Sequence, residues 1–321
     1  MSVFKSYFSG IKEATLRPKM VLVLWLFNFL FGFIEYFLYS NLFSQTVGRS
    51  TLSCTFLKKF DFGIMSEILV HKGSVLQMLF RVEILLIFAF FFVILFLNGG
   101  ILWTLIQSRK NKPEKEKKRF CGVFFQGAGQ YFGRFFRLAI YSIPIWIVAG
   151  ILVAFVALIG RSFSADGSNE AAIFYTVLIT AGVSLFLLFL IRMILDYARI
   201  RIVVEDSNKV FSPLVQSVIF VFKKFWKTIA LYYLLLLTGI ILAGIILILE
   251  MRLTIDSIEM VFLTFGIAQI FILARSWTWI AFQAGQLEFY SREQKQVEEE
   301  ASPPLTETQP LPEIDDSSDR A

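Results

Sequence analysis

The chain has 321 residues, of which 56% are hydrophobic and only 17% charged, with 37 phenylalanines and a mean hydropathy of +0.67. A soluble domain carries roughly 25% charge, so a chain this apolar needs lipid as part of its solvent. Two cysteines exclude a secreted disulfide scaffold, and one histidine leaves little room for most soluble-enzyme chemistry.

Six segments are long and apolar enough to cross a bilayer as helices, which takes about 20 residues. In chain order they are 20–39, 83–106, 138–160, 171–195, 228–249 and 260–282. The expected fold is therefore all-α: one polytopic domain over 1–290, followed from 291 to 321 by an acidic, proline-containing tail that reads as disordered. The first span runs into Glu35, Tyr36 and Tyr39 and has no small-residue cleavage site, so it reads as a span and not as a cleaved signal. The connections alternate in charge. The N-terminal segment, 107–137, 192–227 and the tail hold 23 Lys and Arg, against seven in the other three connections. This bias places both termini in the cytoplasm, Cys121 on the same side and Cys54 outside.

Three stretches share a plan: Tyr7–Leu24, Phe124–Tyr141 and Leu214–Leu231. Each opens with apolar residues at helical spacing and has an early small residue (Gly10, Gly127, Ser217). Each has a basic residue ten after its start (Arg17, Arg134, Lys224), then enters a span. The expected architecture is three copies of an interfacial amphipathic helix plus a transmembrane hairpin. Aromatic and basic residues interleave at FGRFFR (132–137) and FVFKKFWK (220–227), which suits anionic lipid headgroups at the cytoplasmic face. These runs abut spans, so nucleic acid is not an expected partner.

Ionisable groups within or beside spans are the candidate functional residues. Glu35 lies near the outer end of the first span and Arg81 near that of the second. They could form an ion pair that fixes helix register, an ion or proton site, or headgroup contacts. Arg192, Asp196, Arg199 and Asp206 fall on one helical stripe with alternating sign, and Arg201–Glu205 forms an i,i+4 pair on another face. Arg275 lies inside the sixth span and is expected to join Asp196 if the two helices pack side by side. Asn98-Gly99-Gly100 marks either a close helix contact or a broken helix. No phosphate-binding loop, zinc-protease, CxxC or nucleophile-elbow motif is present, so no catalytic residue, cofactor or metal is expected.

The segments DYARIRIVVED (Asp196–Asp206), QYFGRFFRL (Gln130–Leu138) and FDFGIMSEIL (Phe60–Leu69) resemble a broad group of uncharacterised bacterial integral membrane proteins. That group is similar, more loosely, to the membrane domain preceding some glycerophosphodiester phosphodiesterases. The resemblance implies a bacterial inner-membrane location and a six-span helical fold. It carries no activity, because the phosphodiesterase chemistry resides in a separate soluble barrel for which this chain has no room. The leading expectation is a non-enzymatic membrane component that binds lipid or a partner membrane protein. The alternative is a small transporter or channel with a polar site at the cytoplasmic ends of the fourth and sixth spans. A membrane-embedded enzyme ranks third.

Overall fold

The computed structural model describes residues 2–46, 73–110, 120–163, 170–253 and 257–301. Every element among them is helical: α1 (Ser2–Leu16), α2 (Pro18–Thr46), α3 (Gly73–Lys110), α4 (Phe120–Phe163), α5 (Glu170–Val204), α6 (Phe211–Lys223), α7 (Phe225–Met251) and α8 (Ile258–Ala301). Six of these are long and apolar enough to span a membrane, and the chain is an all-α polytopic protein.

The threefold plan reappears as α1-α2-α3, α4-α5 and α6-α7-α8. Proline sets one junction. Pro18 opens α2, where its missing N–H breaks no helical bond, and Arg17 is left between α1 and α2. Lys224 occupies the matching junction between α6 and α7, at φ −114° and ψ 31°. The middle copy differs from expectation. Its interfacial segment is not a separate helix but the first half of α4, which runs unbroken through Arg134 for 44 residues. At 1.5 Å per residue such a helix is about 66 Å long, twice the roughly 30 Å hydrocarbon core. The α8 helix is equally long and continues to Ala301, taking in the first eleven residues of the segment expected to be disordered. Residues 302–321, the external FDFGIMSEIL segment, Cys54 and His71 lie outside the described residues.

The three copies close into a ring. The second span of each copy packs on the interfacial segment of the next: α3 on α4, α5 on α6, and α8 on α1. Small residues let the backbones meet. A Cβ added to Gly10 would lie 2.7 Å from the Ala281 carbonyl and 2.8 Å from Gly285 Cα; one added to Gly99 would lie 3.1 Å from the Gly127 carbonyl. Ala281 and Gly285 of α8 thus form a small-residue contact with Gly10 of α1. The Asn98-Gly99-Gly100 segment is a close approach within an unbroken helix. At the repeat positions, Ala14, Tyr131 and Val221 are all fully buried.

Packing is concentrated at one end of the bundle. The core is drawn from Met20–Leu24, Leu95–Ile106, Phe124–Leu138, Ile191–Val203, Leu214–Val221, Thr228–Leu235 and Ile280–Tyr290. We call this end the hub. Beyond it the spans present large apolar side chains outward, among them Phe33, Phe88, Phe155, Val177, Ile248 and Phe262. The most apolar stretches of the six spans have at most 33% of their residues buried within the protein. The α1 helix inverts the soluble pattern: it buries Ser6, Gly10 and Ala14 and turns Phe4 and Phe8 outward. The α6 helix buries Pro213, Leu214, Ser217 and Val221 and also turns large apolar side chains outward, Phe211, Ile219 and Phe222. Outward aromatic residues of this kind suit a membrane interface.

Candidate functional site, a polar hub and an arginine cleft

The hub has a polar interior where α3, α5 and α8 converge. Asn98 on α3 is fully buried, and its Oδ1 accepts hydrogen bonds from Trp279 Nε1 (3.3 Å) and Gln283 Nε2 on α8. Gln286, one turn further along α8, is 1% exposed, and its amide bonds the Asp196 carboxylate of α5. Asn98 Nδ2 and Gln283 Oε1 are buried without a bond, as is Tyr197 Oη on α5. Most buried polar atoms in proteins are paired, so the orphan atoms of Asn98 and Gln283 mark this centre as unusual.

The charged stripe is only partly assembled. Arg199 Nη1 donates to Asp196 Oδ1 at 2.8 Å, and Arg201 pairs with Glu205 at 2.7 Å, both as expected from spacing. Asp206 leaves the stripe. The α5 helix ends at Val204, and the Ser207 N–H donates back to the Ile202 carbonyl (3.2 Å), which puts Asp206 at the left-handed capping position with φ 47°. Its carboxylate therefore turns toward α4, where it accepts from Arg134 (2.6 Å) and Tyr131 (3.0 Å). Arg134 also stacks over the Tyr131 ring.

That contact belongs to a series that spacing within one helix does not show. In each copy the basic repeat residue reaches the end of the same copy's second span. Arg17 meets the Thr104 carbonyl of α3 at 3.4 Å, Arg134 meets Asp206 after α5, and Lys224 meets Glu293 of α8 at 2.9 Å. Lys227 adds a second cation to the buried Glu293 at 3.2 Å. Burial holds the Arg17 guanidinium below its usual range, opposed by the carboxylate of Glu13. Arg109 ties three helices together by bonding Glu13 of α1 (2.9 Å) and Glu288 of α8 (3.0 Å) from its own place on α3. The sequence signal for these ties was the basic residue of each repeat; the acidic partner of Arg134 lies 72 positions away, too far for spacing to show.

Arg275 does not reach Asp196. It lines a cleft of about 320 Å³ between α5, α7 and α8 together with Arg192, Gly239, Ala243, Phe271, Ala274 and Trp279. Arg192 senses Asp196 through space, but neither Arg192 nor Arg275 has a hydrogen bond or ion pair among the described residues. The other expected pair also does not form. Glu35 and Arg81 are exposed and make no ion pair with each other; Tyr39 instead donates to Glu83 across α2 and α3. No group of three His, Cys, Asp or Glu suited to a metal ion occurs among the described residues.

No family model, curated protein or solved structure matches this chain. The functional reading therefore rests on this geometry.

Proposed function

We propose that the chain is a non-enzymatic component of a bacterial inner membrane, with both termini cytoplasmic, that binds lipid or a partner membrane protein along its spans. The carrying observation is the contrast between a hub closed by packing and ion pairs and spans that bury at most 33% of their most apolar stretches in one another. Apolar helix faces left uncovered within one chain are covered in the membrane by acyl chains or by other helices. The outward aromatic faces of α1 and α6 support the same reading at the headgroup level. Extraction into native-lipid discs followed by mass spectrometry tests it. A lipid enriched over the bulk membrane, or a stoichiometric protein, is the expected result. Discs holding only bulk lipid in bulk proportions would overturn the reading.

A second reading, transport through the polar hub, is favoured by one observation: the buried amides of Asn98 and Gln283, which keep orphan atoms one turn of α8 from Gln286 and the Asp196–Arg199 pair it joins. Substrate flux in proteoliposomes that Asp196→Asn abolishes would move the assignment there.

A further inference from the structure

The cleft between α5, α7 and α8 is built from two features that rarely coincide. Gly239, Ala243 and Ala274 keep its walls thin, and Gly239 lies so near α8 that an added Cβ would be 3.0 Å from Thr278 Cγ2. Into this apolar space project two guanidinium groups, Arg192 and Arg275. The local charge does not balance. Asp196 is held by Arg199 at 2.8 Å, and no carboxylate lines the cleft, so the four groups Arg192, Asp196, Arg199 and Arg275 sum to two positive charges. An arginine within a span normally pairs or faces a polar ligand, because lipid tails offer it nothing.

The depth of the pair identifies the occupant. Along α8, Arg275 lies about 26 Å from the helix start, and along α5 Arg192 lies about 33 Å from its start. Both helices start at the end of the bundle remote from the hub. A hydrocarbon core of about 30 Å then brings both guanidiniums to the level of the phosphates in the hub-side leaflet. Arginine suits phosphate at such a level, since its planar fork donates two hydrogen bonds at once and is weakly hydrated.

We infer that this cleft is a binding site for one anionic phospholipid, its phosphate held between Arg192 and Arg275 and an acyl chain lying along Phe271 and Ala243. The inference rests on the lipid-binding reading above and deepens it to a single site and headgroup charge. Trp279, which lines the cleft and donates to Asn98, connects the bound lipid to the hub.

The test uses the full chain in discs of phosphatidylcholine doped with phosphatidylglycerol, with retained lipid counted by native mass spectrometry. Wild type keeps phosphatidylglycerol in preference to phosphatidylcholine. Arg192→Gln/Arg275→Gln holds it about tenfold or more weakly, because charge-assisted bonds to phosphate are the stronger class. Arg137→Gln, an exposed cation outside the cleft, retains it. Ala243→Leu keeps both arginines but fills the apolar space, and it lowers retention as well; this variant decides the matter if the double variant fails to fold. Equal retention by wild type and Ala243→Leu, or by wild type and a folded double variant, overturns the site. Displacement of the lipid by inorganic phosphate alone overturns the phospholipid as occupant in favour of a soluble anion. In either case the broader reading stands if another lipid or a protein partner is enriched in native discs.

Discussion

At the scale of single residues, Asp196 and Asp206 show how two carboxylates ten positions apart reach different ends. Asp196 sits within α5, mostly buried, and accepts from Arg199 while Arg192 lies within electrostatic range. Replacing it with alanine leaves Arg199 without its partner, and breaking a buried pair from one side costs about 3 kcal/mol. Asp196→Ala is therefore expected to give a lower apparent Tm and less folded protein, measured by fluorescence-detected gel filtration across a heating series. Asp196→Leu combined with Arg199→Leu, which removes both charges, is expected to recover much of the loss. Equal folded yield for Asp196→Ala and wild type would show that the pair is not structural. Asp206 presents the opposite case. Its carboxylate is largely exposed beside Arg134, so losing that pair costs only about 0–1 kcal/mol. What Asp206 contributes is a side chain that tolerates the left-handed turn ending α5.

At the scale of elements, glycine placement separates contact from convenience. Gly10 of α1 lies against the backbone of α8, and a methyl there would meet the Ala281 carbonyl and Gly285 Cα below 3.0 Å. A backbone cannot rotate away as a side chain can, so Gly10→Ala pushes the ring open between the third and first copies, a loss of about 1–3 kcal/mol. Gly129 lies on the exposed side of α4 with nothing within 4 Å of an added Cβ. There alanine only stiffens the helix, and Gly129→Ala is expected to gain about 0.5–1 kcal/mol. Thermal unfolding of the two variants in one detergent should move Tm in opposite directions; a fall for both, or a rise for both, would deny the distinction. The same contrast explains what the sequence makes legible. The centres of all six spans can be read, because lipid demands about 20 apolar residues whatever their neighbours. Their hub ends cannot. Residues 101–106, 124–138 and 280–290 hold much of the core, and composition alone does not show that other helices cover side chains such as Gln283 and Gln286 there. The Arg201–Glu205 pair was legible from i,i+4 spacing, whereas Arg134–Asp206 depends on the fold of the middle copy and Arg109–Glu288 on ring closure between copies. The expected Glu35–Arg81 pair does not form: both side chains are exposed, and the polar tie between α2 and α3 at that level runs through Tyr39 and Glu83 instead.

At the scale of the whole molecule, the hub and the charge bias describe one asymmetry. Arg109, Arg134, Arg137, Arg199, Arg201, Lys224, Lys227 and Arg292 all belong to the packed end, while among the described residues the remote ends hold only the cations Arg81, Arg161 and Arg252. Cationic side chains stay on the side where the chain is made, since moving them across the bilayer opposes both desolvation and the membrane potential. The hub is thus expected on the cytoplasmic face, with α2 carrying the chain outward to the 47–72 connection and α3 returning it. Two cysteines report on this directly. Cys121 is unpaired and exposed at the start of α4, on the hub side, and Cys54 lies in the connection between α2 and α3. A membrane-impermeant maleimide applied to cells with a permeabilised outer envelope should label Cys54 and spare Cys121, and detergent lysis should then expose Cys121. The Cys54→Ser variant should be silent until lysis, and the Cys121→Ser variant should give the same signal before and after. The reverse pattern would place the hub outside, and the arginine cleft with it, in a leaflet where fewer anionic phosphates are available to fill it. The measurement therefore fixes both the orientation of the bundle and the membrane face from which the cleft draws its ligand.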